Sequence, residues 1–242
     1  MRSISIIIPC FNDENKIIKN LYYLKKKLKK IKIKYELIVI NDGSSDHTLI
    51  RLKKFKSNKS KLRIINNNKN YGKSYSIRKG LKFSKSDYVI LIDSDLPYFS
   101  SLNKVLKKLS ENFDFVFINR RHMSSHITNK NLNFYQRSRY FIGYLVSLAV
   151  RFFLNMNIHG GDTQSGLKGF KKIRNFKKLK FISSKFFLDL EIMYYYNNLN
   201  KKFYSVPVKY KIDNNSSIKL FSFKKNFEIL IELIKVILHL KK

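Results

Sequence analysis

Tyr88-Val89-Ile90-Leu91-Ile92-Asp93-Ser94-Asp95 decides how this chain is read: five strand-forming residues run straight into two carboxylates one residue apart. An apolar run without alternation is how a strand looks when helices cover both faces of a parallel sheet. Ligands of such sheets sit at the carboxyl ends of the strands. The step from Ile92 to Asp93 therefore marks a strand end and a candidate site together. The same step recurs twice upstream, in Ile6-Ile7-Ile8-Pro9-Cys10-Phe11-Asn12-Asp13-Glu14 and in Val39-Ile40-Asn41-Asp42-Gly43-Ser44-Ser45-Asp46. A fourth segment, Gly161-Asp162-Thr163-Gln164-Ser165-Gly166-Leu167-Lys168, reads as a polar loop that brings a second substrate to the same edge.

Around these segments the patterning predicts strands at Ser3–Ile8, Glu36–Ile40, Leu62–Ile65, Tyr88–Ile92 and Phe113–Ile118, alternating with helices. Ile17, Leu21, Leu24 and Leu28 stand at helical spacing among lysines, and Ser45 or Asp46 is placed to cap the next helix. Such alternation implies an α/β fold with a mostly parallel sheet and helices on both faces. The second half differs. It predicts one or two apolar helices over Phe134–Leu154, a Gly-rich loop over Gly160–Gly169, a helix near Lys185–Asn197 and an extended Phe203–Tyr210. The expected division is one domain over 1–223, with a first half 1–120 and a second half 121–223, followed by an amphipathic helix over 224–242. In that helix Glu228, Glu232, Lys235, His239 and Lys242 form one narrow polar stripe, and nearly all else is apolar. A face that wide suits a membrane interface or a partner subunit, or it packs across the domain's own core.

At 242 residues the chain is long enough for one full core. Its one cysteine, Cys10, allows no internal disulfide and reads as a buried small hydrophobe in a reducing compartment. The N-terminal run is read as a strand rather than a signal peptide, and no stretch reaches the ~18 apolar residues of a membrane span. The net charge is +34. Lysine is abundant alongside isoleucine, asparagine, tyrosine and phenylalanine, while alanine occurs once, which fits codon usage in an AT-rich genome. Attraction to an anionic membrane surface is the second reading of that charge, and nucleic acid is not expected as a partner.

Asp93 and Asp95 at a strand end are a pair able to hold a hard divalent cation, Mg²⁺ or Mn²⁺, which commonly bridges to a diphosphate. Asp42, before a glycine turn, can accept hydrogen bonds from a base or ribose. Asp13 and Phe11 can hold a ribose hydroxyl and a base face. Helix capping is the alternative role for Asp13 and Asp46, and core packing for Phe11. Lys73 and Arg78 are candidates for a negatively charged ligand or for solvated charges, and Arg120 ends the fifth strand.

These residues resemble the inverting family 2 glycosyltransferases, and within them the dolichyl- and polyprenyl-phosphate sugar synthases. Ile8-Pro9-Cys10-Phe11-Asn12-Asp13-Glu14 is similar to that family's opening Pro-x-Tyr-Asn-Glu, Asn41-Asp42-Gly43-Ser44 to its Asp-Asp-Gly-Ser, and Asp93-Ser94-Asp95-Leu96 to its metal triplet. Asn119-Arg120-Arg121-His122 is close to Ser-Arg-x-His, and Asp162 through Phe170 matches the loop Asp-Thr-Gln-Cys-Gly-Phe-Lys-x-Phe. Leu188-Asp189-Leu190-Glu191, Ser205-Val206-Pro207-Val208 and Ser217-x-Lys219 continue the likeness, which spans roughly residues 3–220.

The resemblance implies a GT-A-type nucleotide-sugar-binding sheet with peripheral amphipathic helices. It implies that Pro9, Phe11, Asp13 and Asp42 hold the nucleoside. Asp93 and Asp95 would bind metal and diphosphate, and Lys73 would lie near the donor. Lys168, Arg120 and Arg137 would grip the acceptor's phosphate, with Asp162 the carboxylate placed to assist. The implied reaction is hexosyl transfer with inversion, from a UDP-glucose or GDP-mannose type donor to a polyprenyl phosphate. It would run on the cytoplasmic face of a membrane. Asn41, Phe11 and Asp13 depart from the family pattern, and Pro97 replaces a glutamine of the mannosyl members, which points away from GDP-mannose. A hydroxyl acceptor is the rival reading, and it needs Asp162 or Asp189 as general base. A basic membrane- or nucleic-acid-binding protein on a degenerate fold is the third.

Overall fold

The computed structural model describes residues 3–56, 61–129, 131–156, 162–212 and 223–242. Gly160 and Gly161 of the expected loop, and Ser217 and Lys219, lie outside the described residues.

The first half follows the predicted alternation. Strands β1 (Ser3–Cys10), β2 (Lys34–Asn41), β3 (Leu62–Asn66), β4 (Tyr88–Ile92) and β5 (Phe115–Asn119) are separated by α1 (Ile17–Ile31), α2 (Thr48–Phe55), α3 (Lys73–Phe83) and α4 (Leu102–Ser110). After β5 come β6 (His126–Ile127), α5 (Phe134–Phe153), β7 (Leu167–Lys171), α6 (Leu188–Asn198), β8 (Phe203–Pro207), β9 (Lys209–Tyr210) and α7 (Phe223–Leu240). The main sheet runs β3-β2-β1-β4-β7-β5-β8, and β6 pairs with β9 apart from it.

The last three residues of the predicted Gly-rich loop, Leu167 to Gly169, thus belong to a strand. Strand β7 inserts antiparallel between β4 and β5, with Leu91 opposite Lys168 and Phe117 also opposite Lys168. Being antiparallel, β7 starts where its neighbours end. That reversal delivers residues 162–166 to the carboxyl edge of the sheet.

Strand side chains alternate between two cores. Ile6, Ile8, Val39, Ile90 and Ile92 join Leu21, Leu24, Leu28, Leu52 and Val105 from α1, α2 and α4. Ile7, Ile38, Ile40, Val89 and Leu91 join Ile77, Leu190, Met193 and Val236 from α3, α6 and α7. All four residues of the predicted α1 stripe are buried, as their spacing implied. Asp46 does the capping ahead of α2, its Oδ1 accepting from Thr48 N at 3.0 Å. Cys10 is buried in β1, and desolvation pushes its thiol up to about 12, the behaviour of an inert core residue.

Helix α7 packs one side across the domain's own core, one of the readings the sequence left open. Glu232 turns toward the domain and accepts the backbone N–H groups of Ser184 at 2.8 Å and Lys185 at 2.6 Å. Glu228 pairs with Lys185, and His239 reaches Lys180 O at 3.2 Å. Leu233, Val236 and Leu240 dock in the core, while Phe227, Leu230, Ile231, Ile234 and Leu238 face outward. Glu232 and His239 pair with backbone, Glu228 and Lys235 stay exposed, and much of the rest of the outward face is hydrocarbon. Helix α5 is similar: Phe141, Ile142, Leu145, Leu148, Phe152 and Phe153 are exposed.

Candidate active site

The carboxyl edge is stitched together by the three strand-end segments. Asp42 N donates to Cys10 O at 2.9 Å, and Asp93 N donates to Gly166 O at 3.0 Å. Asn12 N donates to Ser44 Oγ and Ser45 N to Asn12 Oδ1, both at 2.9 Å. Asn20 Nδ2 reaches Ser94 O at 2.8 Å. Asn20 carries no periodic or motif signal that would have singled it out.

Asp93 and Asp95 stand together just past β4. Lys73, the first residue of α3, places Nζ 2.6 Å from Asp93 Oδ1, with the two side chains 31% and 34% exposed. A Cβ on Gly166 would lie 2.8 Å from Asp93 Oδ2 and 2.5 Å from Pro97 Cγ. Only glycine lets the loop pass this close to the carboxylate. Desolvation in the crevice, and then the charge of Asp93, push the Asp95 carboxyl above the usual range. Burial likewise raises Asp13, which has a side-chain hydrogen bond to Ser94 and whose Oδ2 has no partner. Its backbone carbonyl, not its carboxylate, receives the first amides of α1, Ile17 N at 3.0 Å.

Two crowded carboxylates, one already met by an ammonium, fit an oxygen-seeking divalent cation such as Mg²⁺ or Mn²⁺. No cluster of three or more His, Cys, Asp or Glu able to hold a metal occurs among the described residues. The pair would leave the remaining positions to water and substrate oxygens.

Other expected site residues sit differently. Asp42 is buried and fully engaged: Oδ1 accepts from Asn67 Nδ2 at 2.8 Å and Tyr71 N at 3.1 Å, and Oδ2 from Gly72 N at 2.8 Å. It shapes the 67–72 turn, with Oδ2 accepting one backbone N–H. Pro9 is buried in β1 opposite Ile40, whereas Phe11 is 47% exposed at the edge and stays available to a ligand, not to the core. Arg78 Nη1 donates to Phe181 O and so ties α3 to the loop before α6.

The acceptor-side charges are also paired off. Arg120 Nε lies 2.6 Å from Asp162 Oδ2, and Nη2 lies 2.8 Å from Oδ1. Burial alone would raise the Asp162 carboxyl, but the Arg120 guanidinium outweighs it and holds the group below the usual carboxylate range. A buried carboxylate held ionised by a two-pronged arginine is a poor general base. Tyr98 adds a side-chain hydrogen bond to Arg120. Lys168 points into the core: Nζ donates to Ser165 O and lies 2.8 Å from Asp189 Oδ2, leaving the side chain 1% exposed. It braces the loop instead of meeting solvent. Arg137 is exposed on the first turn of α5, its Nε donating to Leu132 O at 3.1 Å.

Residues 5–165 match the model of Glycosyl transferase family 2. The chain belongs to that family. An uncharacterized protein of Methanocaldococcus jannaschii is 36% identical over 169 residues, covering 67% of this chain and 69% of that protein. A dolichyl-phosphate beta-glucosyltransferase of Dictyostelium discoideum is 26% identical over 235 residues, covering 90% of this chain and 69% of that one. An uncharacterized glycosyltransferase of Synechocystis is 34% identical over 119 residues, and there the match spans 49% of this chain and only 37% of the relative's length. Among solved structures, glucosyl-3-phosphoglycerate synthase of Mycobacterium tuberculosis with Mn²⁺, UDP and phosphoglyceric acid aligns with a TM-score of 0.67 at 17% identity, covering 98% of this chain and 78% of that one. At that identity the likeness is one of fold, and the fold is the GT-A type that the sequence predicted.

Proposed function

We propose that this family 2 glycosyltransferase moves a hexose, with inversion, from a nucleoside-diphosphate sugar to a polyprenyl phosphate. The observation that carries this reading is the Arg120–Asp162 pair beside the Asp93–Asp95 edge. A hydroxyl acceptor needs a base, yet Asp162 is locked by arginine and Asp189 is buried against Lys168. A phosphate acceptor is ionised already at neutral pH. It needs cations to orient it, and Arg121, next to the neutralised Arg120–Asp162 pair at the end of β5, is the candidate.

In this scheme Asp93 and Asp95 would hold a divalent cation, Mg²⁺ or Mn²⁺, that offsets the charge growing on the departing nucleoside diphosphate. Phe11 offers a ring to the base, and Lys73 lies where the diphosphate would meet the sheet edge. The loop 162–166 excludes water from one side. A glucosyl donor is favoured by the dolichyl-phosphate beta-glucosyltransferase relatives and by Pro97.

We place the enzyme at a membrane surface, on the cytoplasmic side. No described helix is long and apolar enough to cross a membrane. The outward apolar faces of α5 and α7, on a chain of net charge +34, support peripheral attachment to an anionic bilayer.

The test is incubation with polyprenyl phosphate, MnCl₂ and radiolabelled UDP-glucose or GDP-mannose, followed by organic extraction. Acid-labile label in the lipid phase, lost in Asp95→Asn by about 100-fold or more, is the expected result. Label that stays in water-soluble products would assign another acceptor.

A further inference from the structure

We propose that Lys73 is the resident counter-ion of the Asp93–Asp95 site, and that it leaves Asp93 for Asp189 when a divalent cation arrives. The inference rests on the reading of Asp93 and Asp95 as a cation site. Asp93 Oδ1 holds the Lys73 ammonium at 2.6 Å, so a divalent cation arriving at Asp93 competes with it. Like charges on one carboxylate repel in a half-buried crevice, which favours a second partner for the lysine.

The place to move to is already built. Asp189 spends Oδ2 on Lys168, while its buried Oδ1 has no hydrogen-bond partner. A buried carboxylate oxygen without a donor is costly and is seldom kept without use. The two residues are neighbours through the backbone of the positions beside them. Leu188 N donates to Ser74 Oγ at 3.1 Å, and Ser74 N donates to Lys185 O at 3.0 Å. Thus residue 74, next to Lys73, is bonded to residue 188, next to Asp189. The start of α3 is tied to the start of α6 by these bonds, so Lys73 changes partner by rotating its side chain alone. The charge of Asp189 already acts on Lys73 alongside that of Asp93.

The consequence is an ordered chain of charges: the acidic pair Asp95 and Asp93, followed in alternation by Lys73, Asp189 and Lys168. Filling the cation site would shift Lys73 along it and strengthen the cluster that braces the 162–170 segment. Cation binding and the order of the acceptor loop would then be coupled through one side chain.

The test is Mn²⁺ binding to the full chain without nucleotide, read by the free-Mn²⁺ electron paramagnetic resonance signal. Lys73→Met is expected to bind about 5-fold tighter, the scale of losing one partly exposed competing ion pair. Asp189→Asn is expected to bind about 5-fold weaker with Lys73 present and to have no further effect in the Lys73→Met background. An equal effect of Asp189→Asn in both backgrounds would mean simple long-range attraction and overturn the exchange. Absence of Mn²⁺ binding to both wild type and Lys73→Met would remove the cation site and the inference with it. Should Asp189→Asn unfold, a MgCl₂ titration of wild type decides. The NMR signals of Lys73 Nζ and Asp189 Cγ must move with one midpoint, and movement of Lys73 alone overturns the proposal.

Discussion

Arg120 meets both carboxylate oxygens of Asp162, at 2.6 and 2.8 Å, while its own backbone N–H adds a third contact at 3.2 Å. The pair joins the end of β5 to the loop that precedes β7, so one ion pair sets the position of residues 162–166 against the sheet.

Asp162→Asn should therefore destabilise the protein, by about 2–4 kcal/mol, because it leaves the guanidinium facing a neutral amide. The pH dependence has a definite sign. A carboxylate held below its usual range contributes stability that is in place above its unfolded pKa, about 3.9, and is lost as the pH falls through its folded value. Urea unfolding of wild type and Asp162→Asn should differ at pH 7, begin to converge below about pH 4, and meet only once the pH has passed the depressed folded value. Equal stability at pH 7 with lost activity would restore Asp162 as a catalytic base.

Gly166→Ala places a methyl against Asp93 and Pro97 and forces the loop outward. The donor KM should rise about tenfold with little change in Tm, since a shift near 1 Å at a reacting site is costly while the core is untouched. Steady-state kinetics beside a thermal melt separates the two effects.

Glu232→Ala removes one carboxylate from the amides of Ser184, Lys185 and Phe186. The expected loss is about 2 kcal/mol, the scale of hydrogen bonds to a charged acceptor. Hydrogen exchange should accelerate at those three amides and along α7, and remain slow in β1 and β4.

The double change Ile234→Glu and Leu238→Glu leaves the docked residues Leu233, Val236 and Leu240 in place. Binding to anionic vesicles should fall at least tenfold, since each apolar side chain transferred from water contributes about 1.5–3 kcal/mol. Flotation at low and high salt reads it, and unchanged flotation would move the contact to α5 or to another subunit.

The strands, the helix α1 and the three acidic strand ends were legible because each is written in a local run. Periodicity and abrupt changes of polarity need only a few neighbouring residues. Asp93 and Asp95 were found in this way, and so was the edge they share with residues 162–166. Asp42 and Lys168 were found as motif positions, but not their roles. Whether a carboxylate faces a ligand or an Asn67 amide is decided by a residue 25 positions away.

Sequence alone determined the α/β class, the sheet edge that holds the acidic groups and the family to which the chain belongs. These follow from local patterning and from motif spacing. Tertiary structure decided which charges pair: Lys73 with Asp93, Arg120 with Asp162, Lys168 with Asp189. It also reversed β7 between β4 and β5, and turned Glu232 of α7 inward onto backbone amides. The reason is the same in each case. A charged side chain settles where desolvation is best offset, and the group that offsets it comes from an element far along the chain.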